Sequence, residues 1–245
     1  MGQLWYLAND VQFFLILPWI IMAYLNKPII GYIVTSILLI GNIICTWIIS
    51  HVGKHSMTII NDSEEITNIY HMPYTRVGAY LVGIIFGMMY FEYMQSFKNP
   101  VYKVKFGTLF YSKVHSSWIV RWSFYIIGSI IMIFLISIPY TETYDFPNRK
   151  WGQVACDFFN CIHRPLFCLG LAMFFAGPMT GKTYLFRFIF GASGWAPWAK
   201  LTFMAYLVHT NVYAYFYFTT HQGFYMTKRY IWYEWFASFL VTYLV

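Results

Sequence analysis

The stretch "LWYLANDVQFFLILPWIIMAYL", residues 4–25, decides the fold. It is apolar over about 20 residues, the length that crosses a bilayer at roughly 1.5 Å per residue, yet it places Asn9, Asp10 and Gln12 within two turns of its start. Blocks of similar length follow at Ile29 to Ser50, Val77 to Met94, Trp118 to Ile138, Phe158 to Gly177, Trp198 to Thr220 and Tyr230 to Val245. The first two are joined by "NKP", residues 26–28, whose proline cannot continue a helix. Of 245 residues, 59% are hydrophobic, 23% aromatic and only 10% charged, so the blocks set the character of the whole chain. The expectation is an all-α, multi-pass transmembrane helical bundle of about seven spans, forming a single domain over residues 1–245. Because the last block ends inside its own apolar run, the chain is expected to be shorter than a complete fold.

Basic residues in the connecting segments set the orientation. Lys27, Lys98, Lys103, Lys105, Lys113, Lys182, Arg187 and Lys200 fall on one side with no loop carboxylate. Lys54, Arg76, Arg149, Lys150, Lys228 and Arg229 fall on the other, together with Asp62, Glu64, Glu65, Glu142 and Asp145. The first side is expected to face the cytoplasm or matrix, and the sequon Asn61-Asp62-Ser63 lies on the second, where a lumenal or extracellular site belongs.

The net charge of +7 does not point to nucleic acid. The basic segment "KNPVYKVKFGTLFYSK", residues 98–113, sits between spans and suits anionic headgroups, each cation contributing about 1 kcal/mol near the surface. Membrane lipids are therefore expected partners. Cys45, Cys156, Cys161 and Cys168 have neither the spacing of a structural zinc site nor that of a disulfide framework, and read as small packing residues; no metal is expected. "AGPMTGKT", residues 176–183, fits a relaxed phosphate-loop pattern, but it follows an apolar block instead of a strand and reads as an interhelical loop.

Polar residues inside the blocks carry the functional signal, since a charge at membrane depth costs roughly 2.5 to 3.5 kcal/mol and normally faces protein or a cavity. Asp10 lies about 7.5 Å beyond Trp5 along a helix, too deep for its short side chain to reach water, and is expected to point into the bundle. Asp157, Cys161, Arg164 and Cys168 share a helical stripe, with Asp157 and Arg164 two turns apart. Pro165 is expected to disturb the helix there. His163 points elsewhere and reads as structural. His209 is about 16 Å from either end of its block, near the midplane, where a helix contact and a proton-transfer role are both open. Glu92 and Glu234 lie nearer block ends, for which an interfacial position suffices.

Four segments carry a family resemblance. "WYLANDVQFFLILP" resembles the stretch that marks the nose-resistant-to-fluoxetine branch of the membrane acyltransferase family three, through Trp5, Tyr6, Leu7, Ala8, Asp10, Gln12 and Pro18. "YHMPYTRVGAYLVGIIFG" is similar to the second hallmark of that branch through Tyr70, Pro73, Tyr74, Thr75, Arg76, Tyr80, Gly83 and Gly87, with Ala79 where proline is usual. "HRPLFCLGLA" and "LTFMAYLVHT" resemble its later segments, through Arg164, Pro165, Gly170, Leu201, Thr202, Ala205, Tyr206, Leu207, Val208 and His209.

The resemblance implies a helical bundle that moves acyl groups to or from lipids or glycans. It also implies a catalytic histidine in an early helix upstream of "WYLAND", and Trp5 stands four residues after Met1, so the early helices and that base are expected to be missing. Two functions follow. In one, a companion membrane chain supplies the missing helices, Arg76, Arg164 and Asp157 bind an acyl-CoA or acyl-lipid donor, no cofactor is covalently attached, and His209 or Asp10 serves the acceptor hydroxyl. In the other, the bundle is a catalytically inactive accessory subunit of a larger membrane complex. An endomembrane or plasma-membrane location follows from the resemblance, with the mitochondrial inner membrane as an alternative.

Overall fold

The computed structural model describes residues 4–57, 66–144, 151–183, 186, 188–189, 191–219 and 227–244. The sequon at Asn61, the acidic residues Asp62, Glu64, Glu65 and Asp145, and the basic residues Arg149, Lys150 and Arg187 lie outside them. Every one of the seven apolar blocks is a helix: α1 (Leu4–Asn26), α2 (Pro28–Gly53), α3 (Pro73–Ser96), α5 (Trp118–Tyr144), α6 (Gln153–Met179), α7 (Trp195–Thr219) and α8 (Lys228–Leu244). A further α-helix among the described residues, α4 (Phe106–Ser116), lies inside the basic segment that the sequence presents as a loop. No strand occurs among the described residues. Among them, α1, α2, α3, α5 and α6 are long and apolar enough to cross a membrane. The chain is a multi-pass, all-α membrane protein.

The side chains are distributed inside out relative to a water-soluble bundle. Along α2 the buried positions are Gly31, Thr35, Asn42, Thr46 and Ser50, while Ile29, Ile33, Ile37, Ile40, Ile44 and Ile48 are exposed. Lipid tails solvate isoleucine as well as a protein core does, so the interior is left to small and hydrogen-bonding residues that let backbones approach. Thr35 donates to the Gly31 carbonyl at 2.7 Å and Thr46 to the Asn42 carbonyl at 2.8 Å, which removes their hydroxyls from lipid. Asn42 spends its side-chain N–H across the interface on the Tyr74 carbonyl of α3.

Packing divides the chain into two units, Met1–Thr183 and Tyr184–Val245. In the first, α5 and α6 make the most extensive helix pair, and its close point is Gly128 against Gly170. A Cβ on Gly128 would sit 2.6 Å from the Gly170 carbonyl oxygen. Gly128→Ala is therefore expected to force the helices apart and lower stability by about 1 to 3 kcal/mol, read as a lower thermal midpoint in detergent than the wild type.

Pro165 does not break α6, contrary to expectation: the helix runs unbroken from Gln153 to Met179, with Pro165 buried. Its ring packs with the Asn42 side chain into the space left by Gly78 of α3. "AGPMTGKT" is the C-terminal turn of the same helix, closed by Thr180 Oγ1 on the Gly177 carbonyl at 2.8 Å, with Gly181 at φ 78°. Glu92, four residues before the end of α3, is buried in the protein at 1% exposure. None of the four cysteines forms a disulfide.

Because α1, α3 and α6 begin where α2 ends, these four termini meet at one end of the first unit, and α4 with Lys98, Lys103, Lys105 and Lys113 lies at the other. Lys103→Cys, at an exposed position, should react with an impermeant maleimide from the cytoplasmic or matrix side; labelling confined to the opposite side would reverse this topology.

Candidate active site

At the end of α2 the chain turns sharply. Lys54 adopts the left-handed region at φ 51°, and the Lys54 and His55 N–H groups return to the His51 and Ser50 carbonyls at 3.3 and 3.0 Å. This helix-ending turn tucks His55 and Ser56 inward, at 1% and 7% exposure, while His51 on the last turn stays outside. The first turns of α6 clip the turn in place. Gln153, Asp157 and Asn160 recur at i, i+4 and i+7, hence on one face. Gln153 Nε2 donates to the Ser50 and His55 carbonyls, both at 3.3 Å, and Asn160 Nδ2 to Ser50 Oγ at 3.0 Å and the Ser56 carbonyl at 2.9 Å.

Asp157 sits at the centre, fully buried. Its Oδ1 accepts from Ser50 Oγ and Gln153 Nε2, both at 2.7 Å, and its Oδ2 is 2.8 Å from His51 Nδ1. A carboxylate accepts and does not donate, so Nδ1 carries a proton, and in the neutral imidazole Nε2 is then the nitrogen with the lone pair. The His51 side chain is 52% exposed and lies flat on Trp47, rings 5.3 Å apart at 7°. Among the described residues Nε2 has no partner. One nitrogen is anchored, one ring face is supported, and the basic nitrogen faces outward: this geometry can take a proton from a hydroxyl.

A second cluster lies alongside, at the start of α3. Arg76 donates through Nε to the Tyr70 carbonyl at 2.6 Å, and its guanidinium stacks on Trp5 and Tyr70, 4.5 and 4.2 Å from the ring centres. Arg164 reaches the same π-helical turn, Ile66–Tyr70, donating from Nη1 to the Ile69 carbonyl at 3.2 Å. Both arginines, with His163, line a cavity of about 320 Å³ completed by Ala79, Leu135, Ile136, Phe167 and Cys168. His163 donates from Nδ1 to the Phe159 carbonyl at 2.9 Å and stacks on the Phe159 ring.

Of the residues singled out in the sequence, Asp157, Arg164 and Arg76 gather at this end, although Asp157 and Arg164 bind different partners and not each other. Asp10 does not join them. The inward stripe of α1 runs through Asn9, Phe13, Ile20 and Tyr24, and Asn9 donates to the His71 carbonyl at 2.9 Å. Asp10, rotated about 100° from Asn9, is exposed. His209 belongs to the second unit, where it lines a cavity of about 300 Å³ between α7 and α8 and holds the Tyr206 carbonyl through Nδ1. His51 is the residue that hydropathy reading leaves out. Its signal was a Ser-His pair on the last turn of one span, on the same side of the membrane as an aspartate in the first turns of another.

Comparison of the chain with protein-family models, curated proteins and solved structures finds no match. The site has to be read from its own chemistry. Among the described residues no group of three or more histidine, cysteine or carboxylate side chains gathers to hold a metal.

Proposed function

We propose that this chain transfers acyl groups to a lipid or glycan hydroxyl, with His51 as the general base and Asp157 as the residue that positions it. The observation that carries the reading is the 2.8 Å contact between a buried carboxylate and a half-exposed imidazole at the end of the bundle. An acceptor hydroxyl at Nε2 gives up its proton as its oxygen attacks the acyl carbonyl. The tetrahedral intermediate then collapses, and the imidazolium returns the proton to the departing thiolate or alkoxide. Asp157 stabilises the imidazolium between the two steps without taking the proton itself. The base thus comes from within the chain, replacing His209 and Asp10 as candidates. Acyl transfer is also what the residues of the family resemblance imply, from Trp5 to His209.

The accessory-subunit reading predicts the opposite result in one assay. The purified chain in nanodiscs is incubated with labelled acyl-CoA, or separately an acyl-lipid, and with lipid and sugar acceptors. Transfer of label that depends on His51 supports the enzyme. Label transferred equally by a His51→Ala variant, or by none of the donors with or without membrane extract as a source of a companion chain, refutes it.

A further inference from the structure

The arginine-lined cavity beside α3 has a polar end and an apolar end, and their order along the membrane normal is fixed by the helices. On α3, Arg76 precedes Ala79 by about a turn, and on α6, Arg164 precedes Phe167 by the same distance. Both helices run inward from the same end, so the cations lie nearer the headgroup level and the apolar lining lies deeper. The third wall is Leu135 and Ile136 of α5, and Ile136 is 67% exposed, which leaves the cavity bordered by a lipid-facing surface.

Arg76 is held before any ligand arrives. Its Nε is engaged by the Tyr70 carbonyl, and the Trp5 and Tyr70 rings, 5.1 Å apart, pack against it from one side, which leaves the Nη groups for recognition. Among the described residues no carboxylate pairs with it. A guanidinium suits two oxygens of one phosphate, in the bidentate pairing that lysine cannot copy.

We propose that this cavity binds the phosphate of a membrane lipid, with the first part of an acyl chain along Leu135 and Phe167. Occupancy of the site needs no turnover, so it is tested separately from acyl transfer at His51.

The test uses the full chain in a neutral detergent and native mass spectrometry with three probes: lysophosphatidic acid, the monoacylglycerol of the same chain, and inorganic phosphate. Lysophosphatidic acid should be retained about tenfold better than monoacylglycerol, the size of one charge-assisted contact. Arg76→Gln should remove that preference. Leu135→Trp, which fills the apolar end and leaves Arg76 in place, should weaken lysophosphatidic acid as well, and it decides the matter if Arg76→Gln fails to fold. Equal retention of the two lipids, or an unchanged preference in folded Arg76→Gln, overturns the site. Full displacement of the lipid by an equal concentration of inorganic phosphate reassigns it to a soluble phosphate and overturns the lipid assignment. His51→Ala should leave retention as in the wild type, so failure of the dyad and failure of this site give different results.

Discussion

Replacing His51 with alanine is expected to lower acyl transfer by about 10²- to 10⁴-fold, the usual contribution of a positioned general base. The loss should appear in kcat more than in KM, because the imidazole acts as the acceptor proton moves. The half-exposed position of His51 adds a diagnostic: free imidazole in the buffer can reach the vacated space and should restore part of the rate in His51→Ala. A histidine that merely stapled α2 to α6 would show no such rescue. Asp157→Asn separates positioning from packing. The amide still offers one acceptor oxygen to Ser50 and Gln153, but it can turn an N–H towards His51 Nδ1. That donor stabilises the tautomer with its proton on Nε2, which cannot act as a base. Asp157→Asn should therefore approach the His51→Ala rate while keeping most of its stability, and added imidazole should not rescue it. A variant retaining more than about a tenth of the wild-type rate would remove Asp157 from the mechanism.

The helices were legible because a membrane span is a long, one-dimensional signal. Seven apolar blocks became seven helices, with ends displaced by a few residues where polar side chains belong to the first turn; Gln153 and Asp157, for instance, lie in α6 ahead of its apolar block. Helix α4 was hidden because its 11 residues mix Lys113 and His115 with Phe106, Leu109 and Phe110, so no window of spanning length is apolar. The site was only half legible, for a different reason. Helical spacing put Asp157 and Arg164 on one stripe, and both do face the interior end, but spacing within α6 says nothing about partners 106 and 95 residues away. Those partners come from chain reversals, the turn at Lys54 and the turn at Ile66–Tyr70. Asn9 and Asp10 illustrate a finer limit. Adjacent polar residues differ by about 100° around the axis, and which of them points inward depends on how α1 rolls against α2 and α3.

Glu92 gives the largest stability effect expected in this fold, at the end opposite His51. Its carboxylate is buried with Oε1 accepting from the Tyr24 hydroxyl of α1 at 3.1 Å and Oε2 from the Gly107 N–H at 2.8 Å. Gly107 lies in the first turn of α4, whose own N-cap residue, Lys105, offers no side-chain bond. Glu92 therefore caps α4 from a neighbouring helix, with a negative charge at the positive end of the helix dipole. The approach is close because Gly107 has no side chain: a Cβ there would overlap the Met89 backbone. Nearby Tyr111 and Thr108 have buried hydroxyls without hydrogen-bond partners among the described residues, and burial pushes the Tyr111 phenol up to about 12, so no charge there competes for the cap. Glu92→Leu would leave the Tyr24 hydroxyl and the Gly107 N–H buried and unpaired, each costing about 1 to 3 kcal/mol, for a total of about 2 to 6. Glu92→Gln keeps one acceptor oxygen and turns an N–H towards a donor, so about half that loss is expected. Unfolding in mixed micelles should rank wild type above Glu92→Gln above Glu92→Leu. Cleavage by an added protease within residues 98–106 should rise in the same order as α4 detaches from α3. Equal unfolding midpoints for wild type and Glu92→Leu would mean that α4 is held by its aromatic contacts with Tyr90 and Tyr93 instead.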